Sequence, residues 1–258
     1  MYQNKLKAKI REGTPVVGCI IQMAAPPLVE MCGLLGFDFV FIDAEHGPLS
    51  PGECEELVRA ADARGITPLV RVWENRRGVI LRYMDTGAHG VIVPAINSAR
   101  EAREAVQAAR YFPEGRRGLA GTRASDYGLL LPIGEYTRQA NRENLVVGLI
   151  ESGEAVDNIE EIVATEGLDG IFIGTTDLSH SLGVPGQFHH PAVEAAFQKI
   201  LRAGRRSKKF MGAVVRSGEE PRVYLELGIQ VLLTSVNGLF AAAARDFLAQ
   251  ARTMVGGK

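Results

Sequence analysis

Five side chains able to do acid–base, metal or oxyanion chemistry follow closely on short β-branched apolar runs. Asp43 and His46 lie in FIDAEHGP, Arg71 closes TPLVR, Glu151 follows LVVGLI, and Asp177 follows GIFIGTT. Glu151 and Asp177 stand one strand–helix unit apart. Two carboxylates brought to one point repel unless one is protonated or a cation lies between them. Hard oxygen ligands without cysteine suit a divalent ion such as Mg2+, Mn2+ or Co2+. The competing reading makes Asp177 a helix N-cap and Glu151 a helix-dipole partner. Taken as a pair, the two favour metal binding. His46, three residues after Asp43, is a candidate general base whose imidazole that carboxylate could orient. An inward guanidinium at Arg71 needs an anion to offset its desolvation. Asp43, Glu45 or a developing oxyanion could each supply one. The backbone N–H groups of Gly174, Thr175 and Thr176, just before a short helix, suit a substrate carboxylate.

Schiff-base chemistry would need a lysine in the same setting. The lysines are Lys5, Lys7, Lys9, Lys199, Lys208, Lys209 and Lys258, and none lies near the C-terminal end of an apolar run. Imine formation is therefore not expected, and a metal must serve as the electron sink. His89, His180, His189 and His190 lack the setting of His46 and are assigned no chemistry.

The apolar runs themselves predict eight strands, near Val16–Ile21, Asp38–Ile42, Thr67–Val72, Gly90–Val93, Leu145–Ile150, Gly170–Ile173, Phe210–Val214 and Val231–Thr234. They are continuous rather than alternating, as expected where both faces of a parallel strand are buried. Amphipathic helices are expected between them, most clearly over Pro51–Ala63, Ser98–Ala109, Gly153–Val163, Pro191–Arg205 and Leu239–Val255. Ser98 with Glu101 reads as a capping box. Gly36, Gly65, Gly87, Gly167 and Gly228 each stand where a helix should stop and a strand begin, and glycine takes the left-handed conformation such a stop requires. One junction repeated along 258 residues predicts an α/β chain folded as a single (β/α)8 TIM barrel over residues 1–258, rather than an open doubly wound sheet. Barrel enzymes carry their catalytic groups at the C-terminal strand ends, where the five side chains fall. The stretch Tyr111–Asn144 is too long for a plain connection between the fourth and fifth strands.

Composition excludes several classes. The net charge of −1 gives no electrostatic case for nucleic acid or an anionic membrane surface. No apolar run approaches the ~20 residues of a spanning helix. The charged N-terminal segment MYQNKLKAKIREG does not read as a signal peptide. Cys19, Cys32 and Cys54 lack metal-ligand spacing and are expected to be reduced thiols in a cytoplasmic protein. Leu239–Val255 has apolar residues on more than one face, which suggests contact with a second subunit. The alternative is a buried last helix with a few exposed alanines.

The stretches GFDFVFIDAEHGP, PLVRV, YMDTGAHGVIVPAI, AREAVQAARYFPEGRRG, RASDYG, LIESGEAVDNIEEI and GLDGIFIGTTDLS resemble the HpcH/HpaI aldolases, in that family's order and over most of the chain. The resemblance implies a (β/α)8 barrel and a class II aldolase. Such an enzyme reversibly cleaves 4-hydroxy-2-oxo acids to pyruvate and an aldehyde through a metal-stabilised enolate. It implies Glu151 and Asp177 as metal ligands, His46 as the base acting with a water, and Asp43 as its partner. It further implies Arg71 on the pyruvate oxygen and the backbone of Gly174–Thr176 as the seat of the pyruvate carboxylate. It also implies a homo-oligomer, usually a hexamer of three dimers that exchange their last helix. The family commonly has Gln where Leu149 stands, and Pro-Ala or Pro-Asn where Thr175-Thr176 stands. These changes alter the pocket wall without removing a ligand. Aldehyde choice is expected to rest on the loops Val215-Arg216-Ser217-Gly218 and Thr234–Gly238. The rivals are a citrate-lyase-β-like enzyme, for which Arg116, Arg117 and Arg123 could serve a CoA group, an oxaloacetate decarboxylase, or a non-catalytic binding barrel.

Overall fold

A computed structural model of the chain describes residues 3–216 and 219–256. Eight parallel strands close in sequence order, β1 pairing with both β2 and β8. They are β1 (Val16–Ile21), β2 (Phe39–Asp43), β3 (Thr67–Arg71), β4 (Gly90–Val93), β5 (Leu145–Ile150), β6 (Gly170–Ile173), β7 (Phe210–Val214) and β8 (Val231–Ser235). The expected TIM barrel is therefore present. Each strand is within one or two residues of its expected bounds, since a buried apolar run has only one way to satisfy its backbone while facing two apolar layers.

Helix α1 (Lys5–Arg11) precedes β1, and α2 (Pro26–Leu35), α3 (Pro51–Arg64), α4 (Arg77–Met84) and α5 (Ala99–Ala109) alternate with the first five strands. The long connection after α5 is ordered as a 3-10 turn over Arg123–Gly128 and helix α6 (Ile133–Glu143). The helical stretch expected at Gly153–Val163 divides into α7 (Gly153–Asp157) and α8 (Ile159–Val163). Asn158 interrupts it and donates its side-chain amide to the Asn97 carbonyl at 2.8 Å. Then follow α9 (Thr175–Ser181), α10 (Pro191–Ser207), α11 (Glu220–Glu226) and α12 (Val236–Gly256).

All five junction glycines have left-handed φ, between 65° and 92°. Gly36 and Gly65 cap α2 and α3 directly, whereas Gly87, Gly167 and Gly228 follow the caps Asp85, Ala164 and Leu227 and turn the chain toward the next strand. The capping box appears at α3, where Ser50 and Glu53 exchange side-chain-to-backbone hydrogen bonds. At α5 only half of it forms. Ser98 accepts from the Glu101 N–H, whereas the Glu101 carboxylate reaches one residue further back, to the Asn97 N–H.

The barrel interior is filled by Phe39, Phe41, Leu69, Ile92, Phe172 and their neighbours. A second apolar layer lies between the strands and their covering helices. The three cysteines are buried and unbridged. The connection between α5 and β5 runs at the N-terminal end of the barrel. There Arg117 pairs with Asp85 at 2.7 Å and Arg123 pairs with Asp62 at 2.5 Å. These arginines brace the scaffold. Helix α12 departs from the barrel, and none of residues 236–253 is buried. Leu239, Phe240, Phe247 and Leu248 stand exposed along it, so it is not the buried closing helix of the alternative reading. No helix among the described residues is long and apolar enough to cross a membrane.

Candidate active site

The barrel gathers the five predicted side chains around its C-terminal mouth. β2 and β3 pair with Asp43 opposite Arg71, so the last residue of each strand meets the other. Asp43 is wholly buried. Its carboxylate accepts from Arg71 Nε at 2.9 Å, Arg71 Nη2 at 2.7 Å and Gln22 Nε2 at 2.8 Å. It also accepts from the backbone N–H groups of Glu45 and His46, both at 3.2 Å. Burial alone would raise its pKa, but these donors together hold it below the usual carboxylate range.

Asp43 thus holds the backbone of the His46 loop rather than the imidazole. This departs from the expected Asp43–imidazole contact. A short carboxylate that already receives a two-pronged guanidinium has no reach left for a ring that points outward. The His46 side chain is 55% exposed, and its Nε2 lies 4.0 Å from Glu45 Oε2. Arg71 Nη1 lies 3.1 Å from the same Glu45 oxygen, and the guanidinium sits 5.3 Å over the Phe41 ring. The proposed ion pairs of Arg71 with both Asp43 and Glu45 are present.

Glu151, the first residue after β5, is in the opposite electrostatic condition. Its Oε1 accepts from the backbone N–H of Ala95 at 2.7 Å. Ala95 holds a left-handed φ of 50° to present that donor, a conformation uncommon outside glycine. Burial pushes the Glu151 pKa up to about 7. Glu45 and Asp177 add repulsion, while the Ala95 N–H and Arg71 oppose the rise. Gly174 leaves the space that Glu151 occupies. A Cβ there would lie 2.8 Å from Glu151 Cβ and 3.2 Å from its Oε2. Asp177, third residue of α9, is exposed and acts on both Glu151 and Glu45 through its charge.

The donor set fits a hard divalent cation. It offers one desolvated carboxylate whose charge lacks compensation and a second, exposed one close enough to repel it. Among the described residues no group of three or more His, Cys, Asp or Glu side chains has metal-binding geometry. Two protein oxygens suit Mg2+-like ions, which keep several waters or substrate oxygens. Among the described residues no lysine stands at a C-terminal strand end.

Two residues escaped sequence reasoning. Gln22, at the end of β1, joins Asp43 to Asn237 of α12, accepting from Asn237 Nδ2 at 3.0 Å. Its polar side chain after the apolar VVGCII was a usable signal. Ala95 contributes only backbone, which no residue type announces. Of the loop assigned to aldehyde choice, Val215 and Arg216 are described, whereas Ser217 and Gly218 lie outside the described residues.

Comparison with known proteins places the chain. The HpcH/HpaI aldolase/citrate lyase family model matches residues 17–244. A 5-keto-4-deoxy-D-glucarate aldolase of Klebsiella pneumoniae is 34% identical over 246 residues, covering 95% of each chain. An HpcH/HpaI aldolase/citrate lyase family protein of Burkholderia cenocepacia superposes with a TM-score of 0.91 at 31% identity, over 97% of this chain and 100% of that one. The citrate synthase SbnG superposes with a TM-score of 0.89 at 30% identity, over 98% and 100%. A closed eight-stranded barrel, an acidic and cationic cluster at its C-terminal mouth and a family match across most of the chain agree: this protein belongs to the HpcH/HpaI aldolase/citrate lyase family and is a carbon–carbon lyase of the aldolase type.

Proposed function

We propose that the protein cleaves and forms 4-hydroxy-2-oxo acids, with pyruvate as one product and an aldehyde as the other. The observation that carries this reading is the desolvated Glu151, set against Asp177 and short of compensating charge, across the mouth from Arg71. Glu151 and Asp177 would hold a divalent cation, Mg2+, Mn2+ or Co2+. When bound, it supplies Lewis-acid charge beside the 2-oxo group. The backbone N–H groups of Thr175 and Thr176 receive the carboxylate of the pyruvate portion; that of Gly174, expected to join them, is instead bound to the Ile150 carbonyl at 2.9 Å. Arg71 stabilises the negative charge that develops on the pyruvate oxygen as the carbon–carbon bond breaks. The open imidazole of His46 takes the proton of the 4-hydroxyl, directly or through water. Asp43 positions both groups, the guanidinium by two hydrogen bonds and the His46 loop through its backbone.

The same reading extends to assembly. Exposed Phe240, Phe247, Leu239 and Leu248 on α12, and exposed Met31, Leu34 and Leu35 on α2, exceed the scattered apolar residues of an ordinary surface. Docking of α12 on a second copy would cover them, in keeping with a homo-oligomer, a hexamer by the family's habit. Light scattering at micromolar concentration measures this directly, and a monomeric mass would refute it.

The functional test is a retro-aldol screen of 4-hydroxy-2-oxo acids that follows pyruvate release. Chelation should abolish activity, and Mn2+, Co2+ or Mg2+ should restore it. Borohydride added with pyruvate should trap no lysine adduct. Full activity in stripped protein, or a reduced pyruvate adduct on lysine, would refute the mechanism.

A further inference from the structure

A chain of hydrogen-bonded side chains runs along the C-terminal rim, one from the end of each of four neighbouring strands. β8, β1, β2 and β3 lie side by side in the closed barrel. Asn237 stands two residues after β8 and Gln22 one after β1, while Asp43 and Arg71 close β2 and β3. Asn237 Nδ2 donates to Gln22 Oε1 at 3.0 Å, and Gln22 Nε2 donates to Asp43 Oδ2 at 2.8 Å. The same Asp43 oxygen accepts from Arg71 Nη2 at 2.7 Å. Strand register brings the four together, with Ile20 opposite Ser235, Ile21 opposite Ile42 and Asp43 opposite Arg71. The loop after β2 closes over the middle of this chain. A Cβ at Gly47 would lie 2.4 Å from the Asp43 carbonyl oxygen and 2.9 Å from that of Gln22, so the loop comes this close because glycine has no side chain.

The polarity of the chain leaves one arrangement. An ionised Asp43 can only accept. The Gln22 amide must therefore turn its nitrogen to Asp43 and its oxygen outward, and Asn237 must offer its own nitrogen. Flipping either amide would set like against like. The two Asp43 oxygens are held differently. Oδ1 accepts from Arg71 Nε and from the backbone N–H groups of Glu45 and His46. Oδ2 accepts from Arg71 Nη2 and Gln22. Without Gln22, Oδ2 would be left to Arg71, and the carboxylate would be free to tilt about Oδ1. A guanidinium bound to both oxygens would tilt with it. Helix α12 otherwise stands off the barrel. Among the described residues, the bond from Asn237 to Gln22 is its one side-chain hydrogen bond to the barrel, the others staying within the helix.

We propose that Gln22 is a positioning residue for carbon–carbon cleavage: it ties the start of α12 to Asp43 and so sets the direction of the Arg71 guanidinium toward the pyruvate oxygen. Gln22 acts through Arg71 rather than on the substrate, and Asn237 acts through Gln22. This rests on the aldolase reading above and adds to it one residue after β1 and one from the last helix.

The test is a pair of double-mutant cycles. Gln22→Met removes the amide at similar volume. It should lower kcat about tenfold in both aldol cleavage and oxaloacetate decarboxylation, since a hydrogen bond to a charged group carries about that much. KM and bound metal should change little. In an Arg71→Ala background the same substitution should change kcat by less than about twofold. Asn237→Ala should cost about threefold, and nothing further once Gln22→Met is present. Wild-type kcat in Gln22→Met, or an undiminished loss in the Arg71→Ala background, would overturn the assignment. Additive losses from Gln22→Met and Asn237→Ala would overturn the link to α12. A residue that merely held the rim together would change KM and metal binding along with kcat, whatever stands at position 71. Asn237 is exposed, so Asn237→Ala and its cycle with Arg71→Ala carry the test by the same criteria if Gln22→Met does not fold. Calorimetric binding of oxalate with Mn2+ present supplies an arm independent of turnover, because oxalate carries the charge of a pyruvate enolate. Gln22→Met should weaken that binding about tenfold, and by less than about twofold when residue 71 is already alanine. If no 4-hydroxy-2-oxo acid is cleaved but this coupling holds, the aldolase reading fails and the Gln22 assignment stands. If cleavage is present and Gln22→Met acts equally with and without Arg71, the reverse follows.

Discussion

The two ends of the barrel both bury charge, and they treat it differently. At the N-terminal end Asp169 accepts from Lys7 at 2.9 Å and from Arg110 at 2.6 Å, as well as from the Val146 N–H. Lys7 also donates to the Asn144 carbonyl, and Asn4 caps α1 while its amide bonds the carbonyls of His89 and Glu143. Burial lowers the Lys7 pKa despite Asp169, yet the carboxylate there meets two cations. At the C-terminal end Glu151 has the Ala95 N–H and a distant share of Arg71, set against two neighbouring carboxylates. A buried charge with a complete set of partners braces a fold. One with an incomplete set is costly to the apo protein and is available to a ligand.

The comparison can be broken most directly at Glu151. Glu151→Gln keeps the shape and removes the charge. Turnover should fall by roughly a thousandfold or more, because several kcal/mol of Lewis-acid stabilisation depends on the metal, and bound metal measured by elemental analysis should be lost. The thermal midpoint of metal-free protein should not fall, since no ion-pair partner is removed. A large drop in that midpoint would place Glu151 among the structural charges.

Arg110→Met makes the opposite cut. It removes one of the two cations on Asp169 within the interior and should cost about 3 kcal/mol in urea unfolding. Activity per folded molecule and metal affinity should stay within twofold. Loss of activity in folded variant protein would join the two ends functionally and contradict the contrast.

The sharpest division lies within the mouth. Arg71 is paired like an N-terminal charge yet is assigned a chemical role. Arg71→Ala should slow both aldol cleavage and oxaloacetate decarboxylation by about a hundredfold, because both generate the same charge on the pyruvate oxygen. His46→Ala should slow aldol cleavage far more than decarboxylation, which has no hydroxyl proton to remove. Wild-type decarboxylation must first be measurable. Equal losses in His46→Ala with metal still bound would reassign the histidine to holding the site together.

Much of this was legible from local pattern. Continuous apolar runs marked the strands, because a strand buried on both faces tolerates little else. Gly36, Gly65, Gly87, Gly167 and Gly228 marked the helix stops, because the left-handed conformation is a local steric matter. Glu151, Asp177, Asp43, His46 and Arg71 stood out because polar groups are conspicuous at the ends of such runs. Tertiary structure decided what the local pattern leaves open. Asp43 had Arg71, Gln22 and a histidine all within reach, and the register of β2 against β3 with the closure of β1 chose Arg71 and Gln22 over the imidazole. Ala95 entered through a backbone N–H, the Arg216 guanidinium met the Thr175 hydroxyl and the Phe188 ring across the rim, and α12 left the barrel. Each of these outcomes is set by contacts between segments far apart in the chain. Their partners exist only once the barrel has closed, so residue type and spacing record at most that a group wants a partner, as with Gln22 and the surplus apolar faces of α12, and not which partner it meets.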